Sequence, residues 1–326
     1  EVLLAGGEQA VSRLIMGAEE RAPGGILDLA SVEWVEPMSH PVVLSGIQAL
    51  DTAIGGFFPG ELSIWTGKRG SGKSTLLGQT LLDAIDQGQR VCAYSGELSA
   101  WRFKQWAGLQ AAGPDHVEQC TDPRSGKEYW RVPEIVMDRI DEWWRERFLL
   151  YDNKVSAASD ENSILAVFEY AVRRYGCAVF LVDNLMTARF STSADRDFYR
   201  AQSSFTGRLV EFAKKFEVHV PLVAHPRKTE RIEDADEVGG SGDITNRADN
   251  VFSLERLDED KAAEKGYDAV LRILKNRTFG ESAKIGLNFH PACRRYVRVG
   301  EDPKHYGWEW QAPIFQELQD TGTEPF

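Results

Sequence analysis

The first residues that can do chemistry form a glycine-rich loop, GKRGSGKST, which runs from Gly67 to Thr75 and matches the pattern G-x-x-x-x-G-K-[ST] in full. Glycines let the backbone N–H groups of such a loop turn inward around phosphates. We expect Lys73 to reach the β- and γ-phosphates of a nucleotide and Ser74 to ligate Mg²⁺. The candidate nucleotide-binding residues of the loop are Gly67, Gly70, Ser71, Gly72, Lys73, Ser74 and Thr75. The loop therefore predicts ATP, or another nucleoside triphosphate, and Mg²⁺ as cofactors.

Two acidic residues follow predicted strands. Asp183 ends the apolar run FLVD, where a carboxylate can hold Mg²⁺ through water. Glu97 follows the run Arg90–Ser95, which we expect to form the strand next to the phosphate loop; there it can orient and deprotonate an attacking water. Each carboxylate also fits a structural role as a cap on a turn or a helix. Combined with the loop, the two acids indicate hydrolysis.

Three basic residues also follow predicted strands. His225 ends the run Val218–Ala224, from which it can contact the γ-phosphate, although a lone histidine fits a surface position equally well. Lys275 and Arg277 follow the run Ala269–Leu274. An arginine delivered to the γ-phosphate can stabilise the transition state as an arginine finger, whereas a solvated basic turn is the plainer interpretation.

The elements that must position these residues alternate in type along the chain. Apolar runs predict buried parallel strands at residues 61–66, 90–95, 147–151, 177–182 and 218–224. Helical patterns are found at residues 73–87, 100–112, 133–146, 160–175 and 195–216. This βαβ series predicts an α/β fold with a mostly parallel sheet, helices on both faces and ligands at the carboxyl ends of the strands.

The C-terminal part of the chain has a different pattern. Short apolar runs separated by turns predict an antiparallel extension of the sheet, with strands at residues 250–254, 269–274, 283–289 and 295–299. Residues 113–132 are polar and contain proline and glycine, so we predict a surface insertion there. Residues 8–20 have the pattern of a short amphipathic helix.

Composition narrows the class of protein. The 326 residues carry a net charge of −12, which excludes a uniformly basic nucleic-acid coat but not a local basic channel. No apolar run approaches the roughly 20 residues that span a bilayer, so we expect no membrane partner. The four cysteines form no C-x-x-C pair, which favours a reducing compartment. We divide the chain into an N-terminal linker (1–41), an ATPase domain (42–300) and a C-terminal tail (301–326).

Eight short segments follow one another between residues 42 and 299. In chain order they are GI…LD…GG at 46–56, PGEL at 59–62, GSGKST at 70–75, SGE at 95–97, VDNL at 182–185, AHPRK at 224–228, ADNV at 248–251 and LKNR at 274–277. In this order they resemble the RecA-like helicase domain of DnaB-family replicative helicases, with the closest likeness to the Twinkle and phage primase-helicase branch. Each segment is weak evidence alone, but the ordered set is specific.

This resemblance implies a role for each candidate in the nucleotide site. Lys73 and Ser74 would hold ATP and Mg²⁺, Glu97 would be the catalytic base, and Asp183 would bind the metal. His225 would sense the γ-phosphate. The resemblance thus favours a catalytic role for the two carboxylates and the histidine, whereas their positions alone also fit structural roles.

The same resemblance implies that ATP is shared between subunits. Lys275 and Arg277 would act on the ATP of the neighbouring subunit, and Arg256 and Phe289 would sandwich the base. A DNA-binding loop would follow the His225 strand, with candidate phosphate contacts at Arg227, Lys228, Arg231 and Gly240. A mobile solvated segment is the alternative interpretation of that loop, which also contains an acidic run.

We therefore predict an ATP-dependent helicase that forms a homo-oligomeric ring, commonly a hexamer, and unwinds forked DNA while translocating on a single strand. Residues 1–7 resemble the end of a Toprim primase-type domain, so a primase-like region would lie in cis, and the helix at 8–20 would dock on the adjacent subunit. Phage relatives contact a DNA polymerase through an acidic tail, but residues 301–326 fit a disordered end better.

Two other functions stay open at this stage. A RecA-type recombinase would share Lys73, Glu97 and Asp183 but form an open filament. A signalling ATPase of the same fold would bind protein and no DNA. The expected location is the cytoplasm, at a bacterial nucleoid or in a phage-infected cell, and a mitochondrial location is also compatible with the sequence.

Overall fold

The computed structural model describes residues 27–34, 36, 42–153, 160–188, 195–225 and 242–310. By packing, the chain divides into two units, residues 1–40 and 41–326. The described part of the first unit contains a 3₁₀ turn, Leu29–Ser31, at whose start the Asp28 carboxylate accepts the N–H of Ala30. The helix predicted at residues 8–20 lies outside the described residues. All candidate site residues belong to the second unit.

The second unit combines a large sheet with helices. Its described strands are β1 Leu62–Thr66, β2 Val91–Ser95, β3 Glu118–Thr121, β4 Glu128–Arg131, β5 Phe148–Leu150, β6 Val179–Asp183, β7 Val220–Val223, β8 Asn250–Arg256, β9 Ala269–Asn276, β10 Lys284–His290 and β11 Arg295–Arg298. Its described helices are α1 Gln48–Ile54, α2 Lys73–Asp86, α3 Ala100–Ala112, α4 Glu134–Trp144, α5 Glu161–Tyr175, α6 Asp195–Phe216, α7 Gly242–Arg247 and α8 Glu259–Lys265.

Nine strands form one sheet in the order β11-β10-β9-β8-β1-β7-β6-β2-β5. The strands from β8 to β5 run parallel, and β9, β10 and β11 extend the β8 edge in antiparallel fashion. This arrangement confirms the predicted fold class. The expected place of the Glu97 strand was wrong, because β6 and β7 lie between β2 and β1. The reason is the path of α2, which crosses two strand positions before the chain enters the sheet again.

Both faces of the sheet are covered by apolar side chains. Along β1, Leu62 and Ile64 belong to a cluster on one face, whereas Trp65 belongs to the cluster on the other face. The Trp65 ring lies 4.5 Å from that of Phe252 on the neighbouring β8. Side chains of a strand alternate between faces, so a strand covered on both faces needs a continuous apolar run. All five residues of β1 are accordingly buried.

The predicted helices agree with α2 to α6 to within two residues at each end. Helices α1, α7 and α8 were not predicted, and α7 lies in a segment that was expected to be loop. Helix α8 has no buried residue, so its sequence carries no apolar stripe; its signal is the cap, where Asp258 accepts the N–H of Lys261 at 3.0 Å. The insertion at 113–132 contains the hairpin β3–β4, whose residues are mostly exposed.

The start of the C-terminal tail packs on the ATPase domain, so the expectation of a disordered end was wrong for this part. Tyr306 and Trp308 are buried, and the indole N–H of Trp308 donates to the carbonyl of Ala111 at 2.9 Å. Lys304 forms an ion pair with Asp86 at 2.8 Å, near the end of α2. Large aromatic side chains in a polar segment are the signal for such packing. Residues 311–326 lie outside the described residues.

Candidate nucleotide-binding and catalytic site

The phosphate loop joins the carboxyl end of β1 to the start of α2, and two of its glycines are required by close contacts. A Cβ atom at Gly67 would overlap the carbonyl oxygen of Leu254, and one at Gly72 would overlap the hydroxyl of Tyr296. Gly72 also has a φ of +93°, which glycine adopts without strain. The Tyr296 hydroxyl donates to the carbonyl of Ser71 at 3.1 Å and so braces the loop from β11.

Lys73 lies inside the loop that it is predicted to serve. Its ammonium group is buried and donates to the carbonyls of Gly67 at 2.8 Å and Lys68 at 3.0 Å. Burial lowers the pKa of Lys73, while the nearby Asp183 and Glu97 carboxylates oppose the shift. The lysine is therefore a partly desolvated cation at the first turn of a helix, and a phosphate group suits both features.

Ser74 and Asp183 come together from different elements. The Ser74 side chain, on the first turn of α2, and the Asp183 carboxylate, at the end of β6, line the same cleft. Burial raises the pKa of Asp183 to about 6, although the nearby Ser74 hydroxyl and Lys73 cation oppose the shift. A divalent cation would favour the ionised carboxylate, and oxygen ligands of this kind fit Mg²⁺. The described residues contain no group of three His, Cys, Asp or Glu side chains for a metal, so the cation would share its ligands with nucleotide and water.

Glu97 and His225 meet through an amide that the sequence analysis gave no role. Asn184 donates to the Glu97 carboxylate at 2.5 Å, and its amide nitrogen lies 3.0 Å from Nε2 of His225. The Asn184 oxygen in turn accepts the N–H groups of Met186 at 3.0 Å and Thr187 at 3.1 Å, which fixes the orientation of the amide. Asn184 stands directly after the strand-end Asp183 in the VDNL segment, and this position was the available signal.

The sheet register explains why Glu97 reaches the site from a more distant strand. Ser95 at the end of β2 pairs with Asp183 at the end of β6, and the N–H of Gly96 donates to the Asp183 carbonyl at 2.7 Å. Glu97 thus follows a strand end that is held against the Asp183 strand. Burial and the Lys73 cation lower the pKa of His225, so its imidazole is neutral at neutral pH.

One cleft of about 230 Å³ contains these groups. It is lined by Arg69, Gly70, Gly72, Lys73, Ser74, Thr75, Glu97, Leu98, Trp106, Asp183, Asn184, Val223, His225 and Arg294. The structure therefore brings together the predicted loop, both carboxylates and the histidine. It also adds Trp106 and Arg294, which the sequence did not single out because they belong to none of its motifs.

The candidate base-binding residues lie beside the loop, at the β8 side. The guanidinium of Arg256 lies 5.6 Å from the centre of the Phe289 ring, and Phe289 packs on Tyr296 with ring centres 5.2 Å apart. Arg256 also lines a cavity of about 460 Å³ together with loop residues from Gly67 to Ser71. An arginine that lines a cavity with the phosphate loop and lies next to an aromatic ring suits the binding of an aromatic base.

Lys275 and Arg277 lie at the other end of the parallel strands. The side of the sheet where the parallel strands end, with the cleft, is the carboxyl edge, and the side where they begin, with Lys275 and Arg277, is the amino edge. Strand β9 is antiparallel to β8, so its carboxyl end is next to the amino end of β1. Arg277 donates to the carboxylate of Asp249 at 2.7 Å, and Asp249 accepts the N–H of Leu62, the first residue of β1, at 3.0 Å. The Arg277 side chain is still 50% exposed. These two cations are thus not part of the cleft in their own chain.

Lys275 is held in a similar way, since its ammonium group donates to the carbonyl of Thr245 at 2.9 Å. The candidate DNA contacts Arg227, Lys228, Arg231 and Gly240 lie outside the described residues. The structure describes the chain on either side of them, up to His225 and again from the start of α7.

Fold and site define a class, the P-loop proteins with a RecA-like sheet. Within this class, the chain belongs to the DnaB-like helicase C terminal domain family, whose sequence profile matches residues 42–298. The match confirms the family that the ordered motifs indicated. DnaB-like helicases hydrolyse nucleoside triphosphates with a metal ion, bind DNA and form oligomers. The likeness to the Twinkle and phage primase-helicase branch stays a prediction.

Two solved structures share the fold. One, described as an ATPase domain, has a TM-score of 0.65 and 18% identity over 79% of this chain and 91% of its own. The other, described as a DnaB-like replicative helicase and its interactions with primase, has a TM-score of 0.64 and 16% identity over 91% of this chain and 67% of its own. At these identities, the likeness concerns the fold alone.

The family membership decides among the three functions that the sequence left open. It supports a replicative DNA helicase over a recombinase filament or a signalling ATPase. Within the described residues, no helix has the length and apolar character needed to cross a bilayer.

Proposed function

We propose that this chain is the ATP-driven motor of a ring-shaped replicative DNA helicase, with each ATP held between two subunits. One observation carries the proposal: Lys73 and Arg277 lie at opposite edges of one sheet. The strand between those edges, β1, has five residues, which corresponds to roughly 16 Å at about 3.3 Å per residue. Arg277 can therefore reach a γ-phosphate only on another copy of the chain.

The proposed roles within one chain follow from the contacts in the cleft. When bound, ATP would supply the γ-phosphoryl group, and Mg²⁺ would supply a cation that neutralises the charge developing on it. Lys73 and the loop amides hold the phosphates, and Ser74 with Asp183 would hold the Mg²⁺. Glu97 accepts the proton of the attacking water, and Asn184 keeps its carboxylate oriented through their 2.5 Å hydrogen bond.

His225 is proposed to report the γ-phosphate to the DNA. Its neutral imidazole lies 3.7 Å from the Glu97 carboxylate, and the candidate DNA loop follows it directly in the chain. A change at the phosphate can therefore move the start of the segment that carries Arg227, Lys228, Arg231 and Gly240. Contacts of these residues to DNA phosphates would make binding strongly dependent on salt.

The remaining expectations complete the proposed assembly. Arg256 and Phe289 would hold the base, and Lys275 would assist Arg277 on the ATP of the neighbouring subunit. We propose a hexamer as the ring, a primase-like region in cis and a replicative polymerase as partners. All four cysteines are free, which suits a reducing compartment such as the cytoplasm.

Unwinding of a forked DNA duplex with ATP and Mg²⁺ tests the proposal, with wild type compared with Lys73→Ala. We expect Lys73→Ala to lose at least about 100-fold in unwinding and ATP turnover, because the loop loses its phosphate-binding cation. Lys104→Ala is the matched control, since Lys104 is exposed on α3 and paired with Asp141. Wild-type protein that hydrolyses ATP without unwinding or binding DNA would favour the signalling ATPase instead.

A further inference from the structure

Two adjacent arginines at the β10–β11 turn have opposite environments. Arg295 is buried and donates to the carbonyls of Gln110, Lys304 and Ala111, so its role is structural. Arg294 lines the nucleotide cleft, and no salt bridge joins it to a carboxylate among the described residues. Its buried Nε also lacks a hydrogen-bond partner within the described part of the chain.

The Arg294 guanidinium is held in place by stacking. Its Cζ lies 3.8 Å from the centre of the Trp106 ring, on α3 at the cleft wall. Burial lowers the pKa of Arg294, which shows that its charge is partly removed from water. A partly desolvated cation is unfavourable unless an anion or hydrogen-bond acceptor compensates it. Among the described residues, Trp106 provides a ring on which the guanidinium stacks, but no acceptor bonds its Nε. A bound anion could provide that acceptor.

The backbone of Arg294 is tied to the phosphate loop. The side-chain amide of Gln110 donates both to the carbonyl of Thr75 at 2.7 Å and to that of Arg294 at 2.9 Å. Arg294 also has a left-handed backbone with a φ of +53°, which glycine or asparagine would adopt at less cost. Arginine is an unfavourable residue for this backbone conformation, and the Gln110 amide connects the position directly to Thr75. A function of the arginine side chain in the cleft explains why it is found there.

We propose that Arg294, positioned by Trp106, binds the phosphate tail of the nucleotide in the same chain that supplies Lys73. This inference rests on the proposed function and deepens it, because it adds an arginine from the same chain to a site whose proposed arginine finger, Arg277, comes from the neighbour. The guanidinium can form charge-assisted hydrogen bonds with phosphate oxygens next to Thr75. Trp106 is a positioning residue in this account.

Calorimetric titration with ADP and with a non-hydrolysable ATP analogue, both with Mg²⁺, tests the inference. Arg294→Met keeps a long stem for packing on Trp106 and removes the charge. We expect it to bind both nucleotides about 10-fold or more weakly, as for the loss of a hydrogen-bonded charge. Arg298→Ala is the control, because Arg298 is the last residue of β11, the strand that follows Arg294, and its side chain is exposed and near Glu301. It should bind like wild type.

A structural role would give a different pattern. We expect the nucleotide-free melting temperature of Arg294→Met to equal that of wild type, since Met keeps the packing on Trp106 and the Arg294 Nε has no hydrogen-bond partner among the described residues. Affinity within roughly twofold of wild type would overturn the inference alone, as would weak binding that is matched by a lower nucleotide-free melting temperature. Wild-type protein that binds neither nucleotide would contradict the proposed function itself.

Discussion

The two edges of the central sheet use polar residues in different ways. At the carboxyl edge, side chains from α2 and from the ends of β2, β6 and β7 converge on one cleft. Asn184 links Glu97 to His225 within about 3 Å on each side. At the amino edge, Arg277 is bound to the Asp249 carboxylate and to the carbonyl of Asn246 of its own chain. The polar side chains of the carboxyl edge line an open cleft, whereas Arg277 at the amino edge is bonded to groups of its own chain.

This difference indicates how the work of catalysis is divided. In the proposed function, the cleft holds the groups that bind phosphate, ligate a metal and activate water, whereas the proposed arginine finger, Arg277, lies at the amino edge. The amino edge presents Arg277 half exposed, on a rigid mount formed by Asp249 and the start of β1. The proposed site would be complete only when the amino edge of one chain meets the carboxyl edge of another.

Arg277→Ala is expected to give the largest effect of the substitutions that distinguish the amino edge from the carboxyl edge. We expect ATP turnover to fall by about 1,000-fold, because a guanidinium that stabilises the transition state is lost. Nucleotide affinity should stay within roughly threefold of wild type, since the binding residues lie at the other edge. Turnover and binding assays in parallel check both values. Arg173→Ala, at an exposed arginine paired with Glu169, is the control. Normal turnover in Arg277→Ala would break the comparison.

A smaller effect is expected at the carboxyl edge from Asn184→Ala. Without the amide, the Glu97 carboxylate loses the donor that orients it, so we expect kcat to fall about 10- to 100-fold, in the range seen for supporting hydrogen bonds at other sites. KM should change little. Steady-state kinetics on protein with a confirmed native melting profile provide the measurement, with the exposed Asn162→Ala on α5 as control. An unchanged kcat would show that Asn184 only shapes its turn.

The smallest effect concerns stability at the amino edge. Burial and the nearby Asp249 raise the pKa of Glu61, which accepts hydrogen bonds from Asn250 and Thr278. A raised carboxyl pKa stabilises the fold at low pH and loses that contribution as pH rises through the folded-state pKa. Relative to Glu61→Gln, wild type should therefore lose a few tenths of a kcal/mol between about pH 4 and pH 7, after allowance for solvent screening. Urea unfolding at both pH values measures this, and a constant difference would contradict it.

Much of this arrangement follows from local sequence patterns. The phosphate loop, the strand-end acids and the parallel strands were predictable because glycine spacing and apolar runs are local signals. Strand order was not, and the neighbour assigned to the Glu97 strand was wrong because the crossover of α2 depends on packing over the whole sheet. Asn184 meets Glu97 and His225, and Arg294 meets Trp106, only because the fold brings distant segments together. The edge at which Arg277 lies required the antiparallel direction of β9, which no residue near Arg277 encodes.

Mixing two inactive variants tests the central claim, that the site is shared between chains. Glu97→Gln lacks the proposed catalytic base at the carboxyl edge, and Arg277→Ala lacks the proposed arginine finger at the amino edge. In rings assembled from an equal mixture, about a quarter of the interfaces would combine an intact carboxyl edge with an intact Arg277, as expected for random assembly around a closed ring. We predict that ATPase activity returns to about that fraction of wild type, whereas a mixture of Lys73→Ala with Glu97→Gln stays inactive. Absence of recovery in the first mixture would contradict the shared site.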